Sequence, residues 1–269
     1  DRAPIPRNPG TPMAQYEVPY GIIGPPVSYA MAARRYMHQY GEDRTRQAMA
    51  EIAVSTRKWA NLNPMAYFYD KPTTFDDYHN SKWVAWPFHL LDCCLVTDAG
   101  AAIVITTPER ARNAKNGSVK ILGAGEGHDH SGISQMPDLT SAFGRHTGPQ
   151  ALEMAGVSHS DLDLAMIYDS FTYTALVSLE NLGFCEPGEG PDFVASQRTA
   201  PGGDFPMNTN GGGLSYTHPG MYGIFTVVEA ARQLRGQAGE RQLEDCNLAV
   251  AHGTGGLLSS TGTVVLGTD

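Results

Sequence analysis

The sequence lacks several features that would place the protein in a familiar class. None of the apolar runs in its 269 residues approaches the length of about 20 residues needed to cross a bilayer, so we expect no membrane span. Four cysteines, two of them adjacent at Cys93 and Cys94, form neither a disulfide framework nor a zinc-binding spacing, which favours a reducing, cytoplasmic location. Lysine and arginine number 19 against 28 acidic residues, and the net charge of −9 argues against nucleic acid as the main partner.

Common catalytic signatures are missing as well. The sequence has no Ser-His-Asp signature, no P-loop and no His-Glu-x-x-His motif. Gly123 and Gly125 are spaced as in a dinucleotide-binding loop, but no helical pattern follows them, so we reject a Rossmann site. His128 and His130 flank Asp129 without further ligands nearby, and we therefore predict no metal site.

What is present is an alternation of helical and strand patterns. Residues 1–90 favour loops and helices, with amphipathic helices predicted over 27–40 and 43–61. Beyond them we predict strands over 94–106, 119–127, 162–171, 247–252 and 261–266. We predict further helices over 140–155, 172–182 and 224–235. This order predicts an α/β fold with a buried, mainly parallel sheet.

Polar clusters follow two of the predicted strands and one glycine turn. Tyr168 and Asp169 end one strand, His252 and Gly253 end another, and His218 lies in a glycine-rich turn. Because ligands in open α/β sheets bind beyond the carboxyl ends of the strands, we expect these clusters to converge on one site.

The glycine-rich turn spans residues 208–223. Three consecutive glycines from Gly211 let the backbone turn tightly, and Pro219 suits the first turn of a helix. The turn would therefore deliver His218 and Tyr222 to a helix N-terminus, where developing negative charge is favoured. An incidental surface loop is the alternative.

The candidate chemistry rests on tyrosines and histidines. Histidine can act as an acid, a base or an oxyanion partner near neutral pH, and tyrosine can move a proton or donate to an oxyanion. The alternative for each tyrosine is core packing with a bonded hydroxyl, and the cysteines favour structural roles. The candidates are Tyr168, Tyr173, Tyr216, Tyr222, His218 and His252.

Four ordered motifs resemble those of the thiolase superfamily, in the branch of the sterol-carrier-protein-type thiolases and lipid-transfer-protein homologues. They are Thr97-Asp-Ala-Gly-Ala-Ala, Tyr168-Asp-Ser-Phe, Asn208-Thr-Asn-Gly-Gly-Gly-Leu-Ser-x-x-His-Pro-Gly and His252-Gly-Thr-Gly-Gly. The resemblance implies a thiolase-like αβαβα sandwich of two pseudo-repeated halves. Residues 1–90 would be the loop region, 91–118 the end of the first half and 119–269 the C-terminal half. The front of the first half, which carries the nucleophilic cysteine in true thiolases, would be absent, leaving that half incomplete.

The resemblance also implies roles for individual residues. His218 matches the catalytic histidine of the family's His-Pro motif. Tyr168 stands where thiolases have the asparagine of Asn-Glu-Ala-Phe or the histidine of His-Asp-Cys-Phe, and His252 stands where they have the acid/base cysteine. We expect Tyr216, Gly212 and Gly253 to contact the substrate.

The tyrosines after Phe171 and His218 make the chain similar to the aldolases of steroid side-chain degradation. That resemblance implies retro-aldol cleavage of a β-hydroxyacyl-CoA to a ketone and a shorter acyl-CoA, with a partner protein that has an OB-fold and a zinc ribbon. Such a cleavage needs a base for the β-hydroxyl, donors for the enolate oxygen and an acid for its carbon. We expect Tyr173 and Tyr222 to transfer the protons and His218 with Tyr168 to bind the oxyanion. His252 would orient the substrate or move a second proton.

Two alternative functions stay open at the level of the sequence. The chain could be a thiolase-type acyl-CoA acyltransferase whose nucleophile lies in the absent part, or a non-catalytic subunit that binds acyl-CoA or lipid. Products formed from a β-hydroxyacyl-CoA would distinguish them. In each case the resemblance implies a homodimer without a covalently bound cofactor, with coenzyme A as part of the substrate.

Overall fold

A four-stranded sheet organises the C-terminal part of the chain. The computed structural model describes residue 8 and residues 10–268. The strands are β3 (Lys120–His128), β4 (Leu164–Ile167), β5 (Leu248–Gly255) and β6 (Ser260–Gly267), in the lateral order β3-β6-β5-β4, and β1 and β2 form a separate two-stranded hairpin over Trp83–Ala85 and Phe88–His89. Only β4 and β5 are parallel. The prediction of a mainly parallel sheet is therefore wrong, because the connection of β5 to β6 over residues 256–259 is too short for the crossover that parallel strands require.

The described residues also form nine α-helices. They are α1 (Pro12–Tyr16), α2 (Pro25–Tyr40), α3 (Glu42–Ala60), α4 (Phe75–Asn80), α5 (Pro108–Ala111), α6 (Gly144–Ala155), α7 (Thr172–Asn181), α8 (Gly190–Phe193) and α9 (Gly223–Leu234). The helices predicted over 27–40 and 43–61 are confirmed as α2 and α3. The region predicted to be a loop region consists, in its described part, of α1 to α4 and the small hairpin. The three-part division of the chain stays a prediction.

Helices α6 and α9 cover opposite faces of the sheet, as alternation along the strands shows. Val265 of β6 packs with Ala151 and Leu152 of α6. Its neighbour Leu266 packs instead in a cluster with Ala230 of α9. Consecutive strand residues point to opposite faces, so every other residue of β4 and β5 can be assigned to one helix or the other. This alternation decides which side chains can meet in a site.

The largest core joins α2, α3 and α7 to the α6 side of the sheet. It includes Tyr36 from α2, Ile52 from α3 and Leu176 from α7, with Ile167 from β4. All ten residues of α7 are buried. Helix α3 also packs against a π-helical turn at Gly212–Tyr216, so the N-terminal helices brace the glycine-rich turn from outside.

The strand predicted over residues 94–106 is wrong, since no residue of this segment belongs to a strand in the structure. Its backbone is extended at the start, where Leu95 N–H donates to the Gly213 carbonyl at 2.9 Å, but no described strand lies beside it. Val96 and Ile105 are 99% and 75% exposed. A β-branched run becomes a strand only where an adjacent strand forms hydrogen bonds with its backbone N–H and C=O groups. The local sequence pattern does not show whether such a strand is present.

Two smaller differences concern glycines. The turn predicted at residues 253–256 lies mostly inside β5, which runs on to Gly255. Helix α9 begins at Gly223, four residues beyond Pro219, because Gly220 has a left-handed φ of 88° that a helix cannot include. Among the described residues no helix combines the length and apolarity required to cross a membrane.

Candidate active site

The centre of the site is a contact between Tyr168 and His218. Tyr168 follows β4 directly, and its N–H donates to the His252 carbonyl at 2.9 Å, which fixes the end of the strand. The Tyr168 hydroxyl lies 2.9 Å from His218 Nε2, and the two rings meet edge to face at 5.5 Å. The Tyr222 N–H donates to the Tyr168 oxygen at 3.5 Å. The oxygen thus already accepts one hydrogen bond, so its own hydrogen is free to be donated to His218 Nε2.

Both members of this pair are neutral near pH 7. Burial raises the pKa of the Tyr168 phenol to about 12. Burial also lowers the pKa of His218 below its ordinary value of 6.5. A phenol donating to a neutral imidazole can pass a proton on without either group starting from a charged state.

Thr97 holds the backbone of His218. Its hydroxyl oxygen accepts the His218 N–H at 2.9 Å and lies 2.8 Å from the hydroxyl of Thr217. Its own N–H donates to the His218 carbonyl at 3.5 Å. The first of the four motifs is therefore beside the third, although its segment is not a strand.

Tyr222 lies in the same cluster but its hydroxyl faces away from His218. The ring is 5.5 Å from Tyr168 and 6.4 Å from His218, nearly parallel to the imidazole at 18°. The hydroxyl donates to Asn210 Oδ1 at 2.8 Å. Burial, with a contribution from the charge of Asp169, raises its pKa well above 10. Tyr222 therefore keeps its proton at any pH the protein tolerates.

The glycine turn rests on the carboxylate of Asp169. Asp169 Oδ1 accepts the Gly213 N–H at 2.6 Å, and Oδ2 accepts the Leu214 N–H at 3.4 Å. Gly212 has a φ of 61°, and a Cβ on it would overlap Asp169 Oδ2. We predicted a substrate contact for Gly212; the structure places it against this carboxylate instead, because only glycine can approach so closely.

Tyr216 and Gly253 lie in the walls of the cluster. Tyr216 is buried, packs edge to face on Phe225 at 5.9 Å, and accepts the Tyr67 N–H on its carbonyl. Gly253 lies in β5 with its α-carbon close to the first residue of α9, where a Cβ would come 3.8 Å from Gly223 Cα. Their contact with a substrate stays a prediction.

His252 is not part of the cluster. In the parallel pair of β4 and β5 it is the partner of Ile167, so its side chain points to the α6 face while Tyr168 points to the α9 face. Its Nδ1 lies 2.8 Å from the hydroxyl of Thr263, and burial lowers its pKa to about 4. The prediction that His252 joins His218 in one site is wrong because β5 runs on past His252 to Gly255, and the sequence does not show which face of the strand His252 takes.

Tyr173 also lies elsewhere. It is the second residue of α7, is fully buried, and packs against Tyr36 with ring centroids 5.7 Å apart. Its hydroxyl donates to the carbonyl of Leu139 at 3.1 Å. Helix α7 begins four residues after Tyr168 and carries Tyr173 into the main core, away from the glycine turn.

Thiolate and metal chemistry find little support in the described part of the chain. Burial is the main cause that raises the pKa of Cys93, Cys94, Cys185 and Cys246 to about 12. Residues 10–268 contain no group of three or more His, Cys, Asp or Glu side chains placed to hold a metal ion. Sequence reasoning did not single out Asn210 or Thr97, although both stand inside the quoted motifs.

Comparison with known proteins shows that the chain belongs to the thiolase family. Residues 125–268 match the family model described as thiolase C-terminal domain-like. The chain is 39% identical to the steroid side-chain-cleaving aldolase of Thermomonospora curvata, over 94% of the chain and 64% of that protein. It is 40% identical to the 17-hydroxy-3-oxo-4-pregnene-20-carboxyl-CoA lyase of Mycobacterium tuberculosis, over 82% of the chain and 58% of that protein.

A solved structure agrees with these relatives. The Ltp2-ChsH2(DUF35) aldolase superposes with a TM-score of 0.87 at 36% identity, covering 94% of the chain and 65% of the solved chain. The predicted thiolase-like α/β fold is thereby confirmed. The chain spans roughly three fifths of the length of the curated relatives it matches, 64% and 58% of the two named above.

Proposed function

Because this chain belongs to the thiolase family, we propose that it catalyses retro-aldol cleavage of a β-hydroxyacyl-CoA to a ketone and a shorter acyl-CoA. The observation that carries the proposal is the 2.9 Å contact between the Tyr168 hydroxyl and His218 Nε2. The pair can relay a proton while both of its groups are neutral. Each described cysteine thiol, in contrast, is protonated near neutral pH. The two relatives are named as an aldolase and a lyase of acyl-CoA type, which supports the same reaction class.

The pair acts as the base in this proposal. Tyr168 takes the proton of the substrate's β-hydroxyl while its own proton passes to His218 Nε2. The β-oxygen electrons form the ketone carbonyl, the bond between Cα and Cβ breaks, and its electrons form the thioester enolate. The sequence favoured an oxyanion role for this pair; we prefer a relay, because a Tyr168 hydrogen donated to Nε2 is not available to an oxyanion.

The enolate then needs a proton at Cα, and we assign this step to Tyr222. Its ring packs on that of Tyr168, and its raised pKa keeps the hydroxyl protonated until a strong base such as an enolate is formed. To donate, the hydroxyl must leave Asn210 Oδ1. Tyr173, which the sequence favoured for a proton transfer, has no place in this scheme because it lies in the core under Leu139.

None of the four described cysteines is an activated thiolate, so acyl transfer would need a nucleophile from outside residues 10–268. Thiolysis proceeds through a cysteine thiolate, and each of the four thiols in the chain has a pKa near 12. Retro-aldol cleavage needs no covalent nucleophile, so the described residues are sufficient for its proton transfers.

We further propose that the chain works as a homodimer that also binds an OB-fold and zinc-ribbon protein, and that it takes coenzyme A only as part of its substrate. The name of the similar solved structure, Ltp2-ChsH2(DUF35) aldolase, pairs two components, which supports a heteromer. The steroid-type acyl group is carried over from the relatives' names.

The proposal is tested by product analysis. The full-length protein with its co-purified partner is incubated with a steroid β-hydroxyacyl-CoA, and ketone and shortened acyl-CoA are measured by mass spectrometry. We expect equal amounts of both without added free coenzyme A. Tyr168→Phe should lower the rate by about 100-fold, the usual contribution of a general base, while substrate binding is kept. Products that appear only with free coenzyme A would identify an acyltransferase, and binding without turnover would identify a binding subunit.

A further inference from the structure

We propose that Asp169 is a positioning residue for the Tyr168–His218 pair and that it acts through the glycine turn seated on its carboxylate. The expected effect on kcat rests on the proposed function, whereas the expected effect of Asp169 on the position of His218 does not.

The first observation is an unusual environment for a carboxylate. Asp169 is fully buried, and no ion pair joins it to an arginine or lysine anywhere in residues 10–268. It accepts the backbone N–H groups of Gly213 at 2.6 Å and Leu214 at 3.4 Å. Burying a carboxylate without a cationic partner is costly, and burial raises the pKa of Asp169 to about 7, although hydrogen bonds from these N–H groups and from the Asn208 side chain lower it. A buried carboxyl group whose burial costs free energy in this way is a candidate for a functional role.

The second observation is how closely the turn fits the carboxylate. Gly212 packs on Oδ2 with no room for a Cβ. A Cβ on Gly213 would come 3.0 Å from His218 Cδ2 and 3.2 Å from Asp169 Oδ1. The backbone of Gly213 therefore lies between the carboxylate and the imidazole, close to both. A shift of the turn by an ångström would therefore reach the imidazole directly.

The third observation is that one dipeptide holds the turn and the histidine together. Tyr168 and Asp169 are consecutive, and Tyr168 binds the His218 ring while Asp169 binds the turn that precedes it. The Gly213 carbonyl accepts the Leu95 N–H at 2.9 Å, and Thr97, two residues on, binds the His218 backbone. Releasing the turn from Asp169 would thus move both the ring and the backbone support of His218.

The chain offers a matched control in Asp163. This residue lies just before β4, and its Oδ2 accepts two consecutive N–H groups, from Asn247 at 2.8 Å and Leu248 at 2.9 Å. Asp163 thus makes the same kind of hydrogen bonds at the opposite end of the same strand, away from the Tyr168–His218 pair. Asp163→Asn and Asp169→Asn each replace a carboxyl group that accepts two consecutive backbone N–H groups, at a partly exposed and a fully buried position respectively.

The experiment compares the two variants in the full chain with its partner. We expect Asp169→Asn to lower kcat by about 100-fold with little change in KM, as a misplacement of about 1 Å does. The ¹⁵N shift of His218 Nε2 and the pH profile of kcat should change in the same variant. Asp163→Asn should lower Tm and leave kcat, the pH profile and the ¹⁵N shift as in wild type.

The inference is overturned if Asp169→Asn folds and keeps both wild-type kcat and the ¹⁵N shift, or if both variants lose kcat equally. If Asp169→Asn fails to fold, Gly212→Ala moves the turn off an intact carboxylate and should show the same loss of kcat and the same change in shift. An inactive wild-type protein would contradict the proposed cleavage but not the role of Asp169. The ¹⁵N shift would still test whether Asp169 positions His218.

Discussion

A histidine with a hydroxyl partner lies on each side of the central sheet, and the two partners differ in chemistry. On the α9 side His218 contacts the phenol of Tyr168 at 2.9 Å. On the α6 side the His252 Nδ1 contacts the hydroxyl of Thr263 at 2.8 Å. That hydroxyl also contacts the hydroxyl of Thr147 at 2.9 Å. A phenol exchanges protons with imidazole far more readily than an aliphatic alcohol does.

The comparison shows that similar sequence contexts can serve different purposes. Both histidines stand beside a glycine or proline at the end of an element, which in the sequence favours function for both. The structure gives His218 a neighbouring glycine turn, a second tyrosine and partial exposure, whereas His252 is enclosed by α6 and threonines. Three experiments test whether the two sides of the sheet differ in this way.

The largest difference should come from removing each imidazole in turn. We expect His218→Ala to lower kcat for acyl-CoA cleavage by about 100- to 10,000-fold, because a positioned acid or base contributes that much. His252→Ala should lower Tm, since it leaves a cavity and removes one of the hydrogen bonds of Thr263, and should change kcat little when measured below its Tm. A larger loss of kcat in folded His252→Ala than in His218→Ala would break the comparison.

The next difference separates the two buried tyrosines. Tyr222→Phe and Tyr173→Phe each delete one buried hydroxyl and its hydrogen bond, at 2.8 Å and 3.1 Å, so each should cost about 1 kcal/mol of stability. Only Tyr222→Phe should slow cleavage, by about 100-fold, with acyl-CoA binding retained. Thermal melts and kcat of both variants decide this, and near-normal turnover of Tyr222→Phe removes it from the mechanism.

The smallest difference is one of pH and concerns stability. Burial lowers the folded-state pKa of His252 to about 4, whereas an unfolded histidine titrates near 6.5. The unfolded chain therefore binds the extra proton between these values, so this group's stabilising effect is complete above pH 6.5 and falls by up to about 3 kcal/mol as the pH drops to 4.

His252→Asn isolates this effect, because the amide is neutral at every pH and its polar atoms can replace Nδ1 beside Thr263. In urea unfolding, wild type should lose its stability advantage over the variant as the pH falls from 7 to 4. A constant difference across this range would show that His252 is not held neutral.

Local patterns in the sequence predicted the helices well and the sheet poorly. Helices α2 and α3 follow from a period of 3.6 residues that the chain carries within itself. The direction of β6, and whether a strand lies beside residues 94–106, depend on parts of the chain far away in sequence, so the same β-branched pattern fitted both a strand and an exposed extended segment. Pairing is set by the whole fold.

The candidate site was predicted in part for the same reason. Tyr168, His218 and Tyr222 come together as expected because one strand end and one turn deliver them. Asp169 was placed at the site without a role and Asn210 was passed over, since a side chain that binds backbone N–H groups gives no chemical signal in a sequence. His252 was assigned to the wrong face because strand alternation is known only once the register is known.

The register of β4 has a consequence for how misfolding would show itself. This strand has four residues, all buried, and pairs with β5 so that Ile167 lies beside His252. A slip of one residue would exchange the faces taken by Tyr168 and Asp169 while leaving the strand apolar on both sides. Such a molecule would be folded, hydrogen-bonded and inert. Specific activity would then be proportional to the fraction of molecules with the correct β4–β5 register. A melting curve would not separate these molecules from the slipped ones.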